Sequence, residues 1–322
     1  MKERVQGITY LKCLAALMVV FTHTDPLLPE ALRCFARVGL IANCLFFYVS
    51  GFCLTNIASR FTPWYVKRAT RITVPFLILA PFLALSANPL TLAGAQEAVF
   101  SLKYHFLPSI AFLYVFYYFI IKITRLETRK FYATVAVILL LWLAYFVTIY
   151  DPHTSPLAWL RPNTLTYFLL SMLMGAAAHK RFATQTQAKR RIGLWIATIV
   201  FASGAYVLLY LYKPQPITFG YWRSLALPIT LLLIHAITSL ALALNDKLPR
   251  VQIVEATANL SLELYLVQYL AIDAYASLGF PTNLVYMLVS IFALARALQY
   301  ISGIVVAKIP DASRREPTTS AS

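Results

Sequence analysis

The sequence predicts an all-α fold: a polytopic integral membrane bundle of about ten spanning helices with both termini cytoplasmic. Three observations predict it. Hydrophobic residues make up 60% of the 322 residues and charged residues only 12%, with a mean hydropathy of +0.69. Soluble domains are roughly half apolar and about a quarter charged. Apolar stretches near the ~20 residues needed to cross hydrocarbon recur along the whole chain. The basic residues alternate in density from one gap between stretches to the next. A disordered chain would be polar and charge-rich. Collagen-like and disulfide-scaffold classes need far more than 10 Gly and 4 Cys.

The elements follow in order. Residues 5–24 form the first span; Lys12 interrupts the apolar run, and THTDPLLPE offers no small-x-small cleavage site, so the segment reads as a retained helix rather than a signal peptide. Residues 38–58 are apolar around CLFFYVSGFCL. Residues 72–88, 106–121 and 164–178 are short spans, and 131–149 contains the unbroken ILLLWLAYFV. Residues 192–212 and 224–244 follow, the latter with ITLLLIHAITSLALAL, then 258–277 and 283–307. These long runs argue for helices, and the dyad alternation of a membrane β-barrel is absent. The gaps are too short for a soluble domain, so the chain reads as one transmembrane domain, 1–307, with a polar cytoplasmic tail, 308–322.

With the N-terminus inside, 20 of the 28 Lys and Arg residues fall in cytoplasmic segments and six outside, while Lys12 and Arg296 lie within spans. This is the positive-inside pattern. The net charge of +16 therefore records topology, and a nucleic-acid partner is not expected. Cys13, Cys34, Cys44 and Cys53 show no metal-binding spacing and read as structural.

Ionisable residues inside spans are costly and each is a functional candidate. Lys12 and His23 are 11 residues apart, which at about 100° per residue returns the side chain to within about 20° of its starting direction, roughly 16 Å further along the axis. They share one stripe with Ala16 and Val19. Taken separately, Lys12 could snorkel to the inner headgroups and His23 could be an interfacial residue. In the second span Ser50-Gly51 permits close helix packing or a local break. The WYVKRATR segment that follows holds Arg68 and Arg71, which share a face if the third helix begins early; guanidinium forks suit phosphate. ANLSLELYLVQY puts Glu263 and Gln268 in a late span, and Glu263 needs a cation, a proton or water; Lys12 and Arg296 are both candidate partners.

In this order the residues resemble the membrane-bound acyltransferase 3 family, bacterial O-acyltransferases of surface glycans. The motifs are Lys12-x10-His23, Phe46-Phe47-x-x-Ser50-Gly51-Phe52, and Arg68-Ala69-Thr70-Arg71. YFLLSMLMG (Tyr167 to Gly175) is similar to a glycine-ended segment of the family, and SLELYLVQ (Ser261 to Gln268) to a late segment where Gln268 replaces a common His. His105 only loosely matches a further family segment, and no SGNH hydrolase-like domain is expected after the bundle. The resemblance implies acetyl-CoA or another acyl-CoA as donor substrate, no permanently bound cofactor or metal, and a hydroxyl acceptor on a glycan or lipid-linked saccharide, in the bacterial plasma membrane among its lipids. It further implies that His23 is catalytic, as general base or acyl carrier, with Lys12 steadying the donor. Arg68 and Arg71 would hold the CoA phosphates, Ser50 would admit the thioester, and Glu263, Gln268 and Asp25 would serve the acceptor side. Asp25 could orient His23, although i,i+2 side chains do not face each other on a helix. Two rival readings, a multi-spanning transporter and a non-catalytic scaffold of a glycan assembly complex, predict no such motif order. No inverted repeat supports the transporter.

Overall fold

A computed structural model describes residues 5–86, 106–150, 162–182, 191–211 and 224–308. His105, Arg161 and the tail from residue 309 lie outside them. Among the described residues the chain is entirely helical. The helices are α1 (Gln6–His23), α2 (Gly39–Cys53), α3 (Phe61–Ser86), α4 (Phe106–Thr124), α5 (Thr128–Thr148) and α6 (Pro162–Phe182), followed by α7 (Ile192–Leu211), α8 (Ala226–Ala243), α9 (Gln252–Asn259), α10 (Ser261–Tyr275) and α11 (Thr282–Lys308). Each expected apolar stretch contains a helix where described. Five helices, α4, α5, α7, α8 and α11, are long and apolar enough to cross a membrane by length and composition. The protein is a helical membrane protein.

Three expected boundaries are corrected. The second helix stops at Cys53 rather than residue 58, because Leu54 leaves the helical region (φ −101°, ψ 11°) ahead of the polar TNIAS stretch. The third begins at Phe61, eleven residues before its apolar stretch, so Arg68 and Arg71 lie on a helix and not in a loop. Buried Trp64 anchors this polar first part. The late stretch 258–277 is two helices, with Leu260 (φ −88°, ψ 4°) as the break between α9 and α10.

α1 and α2 form the centre. α1 packs on α2, α8, α9 and α10, and α2 packs most extensively on α6. The α2–α6 contact is made by backbone: a Cβ at Gly51 would overlap the Met172 carbonyl, and one at Gly175 the Tyr48 carbonyl. Phe47 adds a stack on Phe168 at 4.5 Å and a tilted contact with Phe106 at 5.2 Å. α5 and α7 are peripheral, and leave Leu140, Leu141, Val147, Val200, Phe201 and Leu208 exposed. Such a dense apolar surface is suited to lipid.

Candidate functional site

The site begins with the α1 stripe. Ala16 and Val19 between Lys12 and His23 are buried at 1% and 3% exposure, whereas Leu14 and Leu17 on the other side are exposed. The Lys12–His23 stripe therefore faces the bundle interior. Gly39, at the start of α2, lies against Thr22, near the end of α1, so the two helices run antiparallel and the C-terminal end of α2 lies toward the Lys12 end of α1.

That end gathers most of the expected residues. Lys12 and Arg71 both act electrostatically on Cys53, at the last turn of α2, and on Glu263, in the first turn of α10. Arg68 and Arg71 both act on Tyr114 of α4, whose hydroxyl is hydrogen-bonded to the Ser50 side chain. Four helices thus bring Lys12, Ser50, Arg68, Arg71 and Glu263 to one region. Cations there also complement the carbonyl-rich end of α2. Arg296, the other cation considered for Glu263, is exposed on α11 and donates from Nη1 to Gln299 Oε1 at 2.7 Å.

Arg68 is held on two sides. Its Nη1 donates to the Trp64 carbonyl oxygen one turn earlier at 2.8 Å, and its guanidinium lies over the Trp64 ring at 4.2 Å. Arginine planes stack well on indole. Its Nε is buried with no hydrogen-bond partner among the described residues. The Ser50-Gly51 motif is pinned as well: Tyr117 Oη donates to the Gly51 carbonyl oxygen at 2.7 Å, one of the last carbonyls of α2, which lack a helical partner.

The other end of the stripe holds His23. The group that meets its imidazole is Tyr269 of α10: the phenol oxygen lies 3.0 Å from Nε2 and 3.3 Å from Nδ1, with the rings edge to face at 4.7 Å between centroids. Asp25 falls beyond α1, in a short 3-10 turn, and its Oδ1 is buried with no hydrogen-bond partner among the described residues. Asn283 Nδ2 of α11 fixes this turn by donating to the Leu27 carbonyl oxygen at 3.0 Å.

α10 joins the two ends, with Glu263 toward Lys12 and Tyr269 on His23. Between them Gln268 is completely buried, and neither its Oε1 nor its Nε2 has a hydrogen-bond partner among the described residues; Glu263 Oε2 is likewise buried and unpartnered. Buried polar groups are almost always bonded. These exceptions on one helix, beside the α1 stripe, mark polar positions left for a ligand or water.

Sequence reasoning located the cations, the histidine and the Ser-Gly motif, but missed the tyrosines. Tyr114 and Tyr117 carry a legible signal, because a helix with FLYVFYYF places its phenols about a turn apart. Tyr269, in VQYLAI, carries none. Among the described residues no group of three or more His, Cys, Asp and Glu could hold a metal ion. Cys13 and Cys44 are buried and Cys53 is exposed.

Residues 5–307 match a family model for acyltransferase 3, described as an acyltransferase domain. Searches of curated proteins and of solved structures returned no match.

Proposed function

Because the chain belongs to the acyltransferase 3 family, and so is a membrane acyltransferase, we propose that it moves an acetyl group from cytoplasmic acetyl-CoA to a hydroxyl of a cell-surface glycan or lipid-linked saccharide. The enzyme sits in a bacterial plasma membrane, crosses it with ten helices and keeps both termini in the cytoplasm. One observation carries this reading: Lys12, Ser50, Arg68, Arg71 and Glu263, from four helices, share one end of a stripe whose other end is His23.

The chemistry follows from that layout. Arg68 and Arg71 at the cytoplasmic end bind the CoA phosphates, Arg68 with its plane already fixed on Trp64. Preorganised guanidinium forks lose little freedom when they take an anion. The rise of about 16 Å from Lys12 to His23 matches an extended pantetheine arm in scale. Lys12 steadies the donor, and the space beside Ser50 and Gly51 admits the thioester. His23 either takes the proton of the acceptor hydroxyl or carries the acyl group itself; imidazole suits both because it titrates near neutrality. Gln268 and Asp25 offer hydrogen-bonding groups to the acceptor, and Glu263 lines the pocket at the Lys12 end.

The test of the donor end is the variant Arg68→Ala with Arg71→Ala. It should raise the KM for acetyl-CoA at least tenfold while the KM for the acceptor stays the same. An unchanged acetyl-CoA dependence in a normally folded double variant would remove the phosphate role.

A further inference from the structure

The ends of α4 and α6 and the start of α5 meet on a surface that the acyl-transfer site does not use. We propose that this surface binds an anionic phospholipid of the surrounding membrane, with the phosphate on a cluster of cations and an acyl chain along the exposed face of α4. The inference is independent of the acyl-transfer reading above and needs only that the helices lie in a membrane.

The charged half of the surface comes from three helix ends. Arg125 and Leu126 both take left-handed backbone (φ 47° and 54°), which reverses the chain tightly between α4 and α5. The end of α6 is tied to this turn: Lys180 Nζ donates to the Leu126 carbonyl oxygen at 2.5 Å, and Arg181 Nη2 donates to Tyr132 Oη at 2.5 Å. Both of these oxygens are neutral. The three ends carry Lys122, Arg125, Arg129, Lys130, Lys180 and Arg181, and all six are exposed. Segments 122–130 and 179–182 contain one acid, Glu127, and Lys130 meets it at 2.7 Å. Such a surplus of one sign attracts anions, and guanidinium groups suit phosphate because they bind it through paired hydrogen bonds.

The apolar half adjoins it. Phe112, Phe116, Phe119 and Ile123 recur on α4 at helical spacing, so they share one face. All four are exposed, Ile123 at 72%. Ile123 stands next to Lys122 and two residues before Arg125, so this apolar face ends at the cations. A cationic cluster at the end of an exposed apolar helix face matches the two halves of an anionic lipid, and basic pockets between spanning helices take such headgroups. Basic residues placed for topology alone need only lie in a connecting segment. Segment 245–250 is of that kind, with Lys247 and Arg250 beside Asp246. At the α4–α5 turn, hydrogen bonds from α6 draw the cations of three helices together.

The test titrates the purified full-length protein in detergent with dioleoyl phosphatidylglycerol and, separately, with dioleoyl phosphatidylcholine, which has the same chains and no net charge. Phosphatidylglycerol should raise Tm by about 5 °C at a concentration ~100 times its apparent Kd. Phosphatidylcholine at that concentration should leave Tm within about 1 °C, and added salt should weaken the phosphatidylglycerol response. Arg125→Gln with Arg129→Gln changes two exposed positions outside the acyl-transfer site. It should raise the apparent Kd for phosphatidylglycerol at least about tenfold. Equal shifts from the two lipids would overturn the role of the headgroup charge. An equal shift from inorganic phosphate would overturn a lipid as the source of the phosphate. A double variant that unfolds like wild type and binds phosphatidylglycerol equally well would overturn the site. The comparison of the two lipids on wild type holds whether or not the variant folds.

Discussion

Gly51→Ala adds one methyl group at the point where α2 and α6 touch. Beyond the overlapped carbonyl oxygen, the new Cβ would lie 2.6 Å from the Met172 carbonyl carbon and 2.7 Å from its Cα. Ordinary contact begins at 3.4 Å, so the two backbones must separate by more than about 0.8 Å, the carbonyl oxygen being closer still. The obstacle is backbone on a neighbouring helix and cannot rotate away. Overpacking by a methylene costs about 1–3 kcal/mol, and here the upper part of that range applies. Against it stands the gain of up to ~1 kcal/mol for replacing a helical glycine by alanine. The control is Gly204→Ala on α7, where a Cβ meets nothing within 4 Å and only the gain remains. The helix gain is common to both, so the two variants should differ by the overpacking cost, about 2–3 kcal/mol, which at ~2 °C per kcal/mol for a chain of this size is about 4–6 °C in Tm. The assay is thermal unfolding of purified protein in detergent, with wild type and both variants side by side. Gly51→Ala should also lose activity beyond its loss of stability, because Gly51 is the residue whose carbonyl Tyr117 holds next to Ser50. A Gly51→Ala protein within 1 °C of the Gly204→Ala control would refute the backbone-contact argument.

Two further outcomes are expected. Gln268→Leu exchanges a buried, unpartnered amide for an apolar side chain of similar size and should raise stability by about 1–3 kcal/mol, read as a higher Tm, while the KM for the acceptor rises; equal loss of stability and activity would mean that the amide serves packing alone. Single cysteines placed in the 122–130 and 245–250 segments of a cysteine-free enzyme should react with a membrane-impermeant maleimide only after the membrane is opened, whereas labelling of intact cells would contradict ten spans with both termini inside.

Much of this architecture is legible in the sequence, because apolar length and the placement of basic residues report on the bilayer. The α1 stripe is legible because helical periodicity alone sets the direction of Lys12 relative to His23, and its neighbours Ala16 and Val19 are buried as that periodicity requires. The true start of α3 is not, since hydropathy marks where a helix enters lipid and not where its hydrogen bonds begin; the polar turns with Arg68 are helical because Trp64 packs beneath them. The break at Leu260 has no proline or glycine to announce it. The partner of His23 is illegible for a different reason. Tyr269 stands 246 residues away, and only the packing of α10 on α1 brings the two rings together, whereas Asp25, near in sequence, lies beyond the end of the helix.

The central claim is that this chain transfers an acyl group through His23. The most direct measurement is transfer of label from [14C]acetyl-CoA to a saccharide acceptor by the purified enzyme in lipid vesicles, wild type against His23→Ala at matched protein level and Tm. Wild type should transfer label and His23→Ala should be at least ~100-fold slower, the scale of a positioned acid–base residue. Equal rates for the two proteins would contradict it.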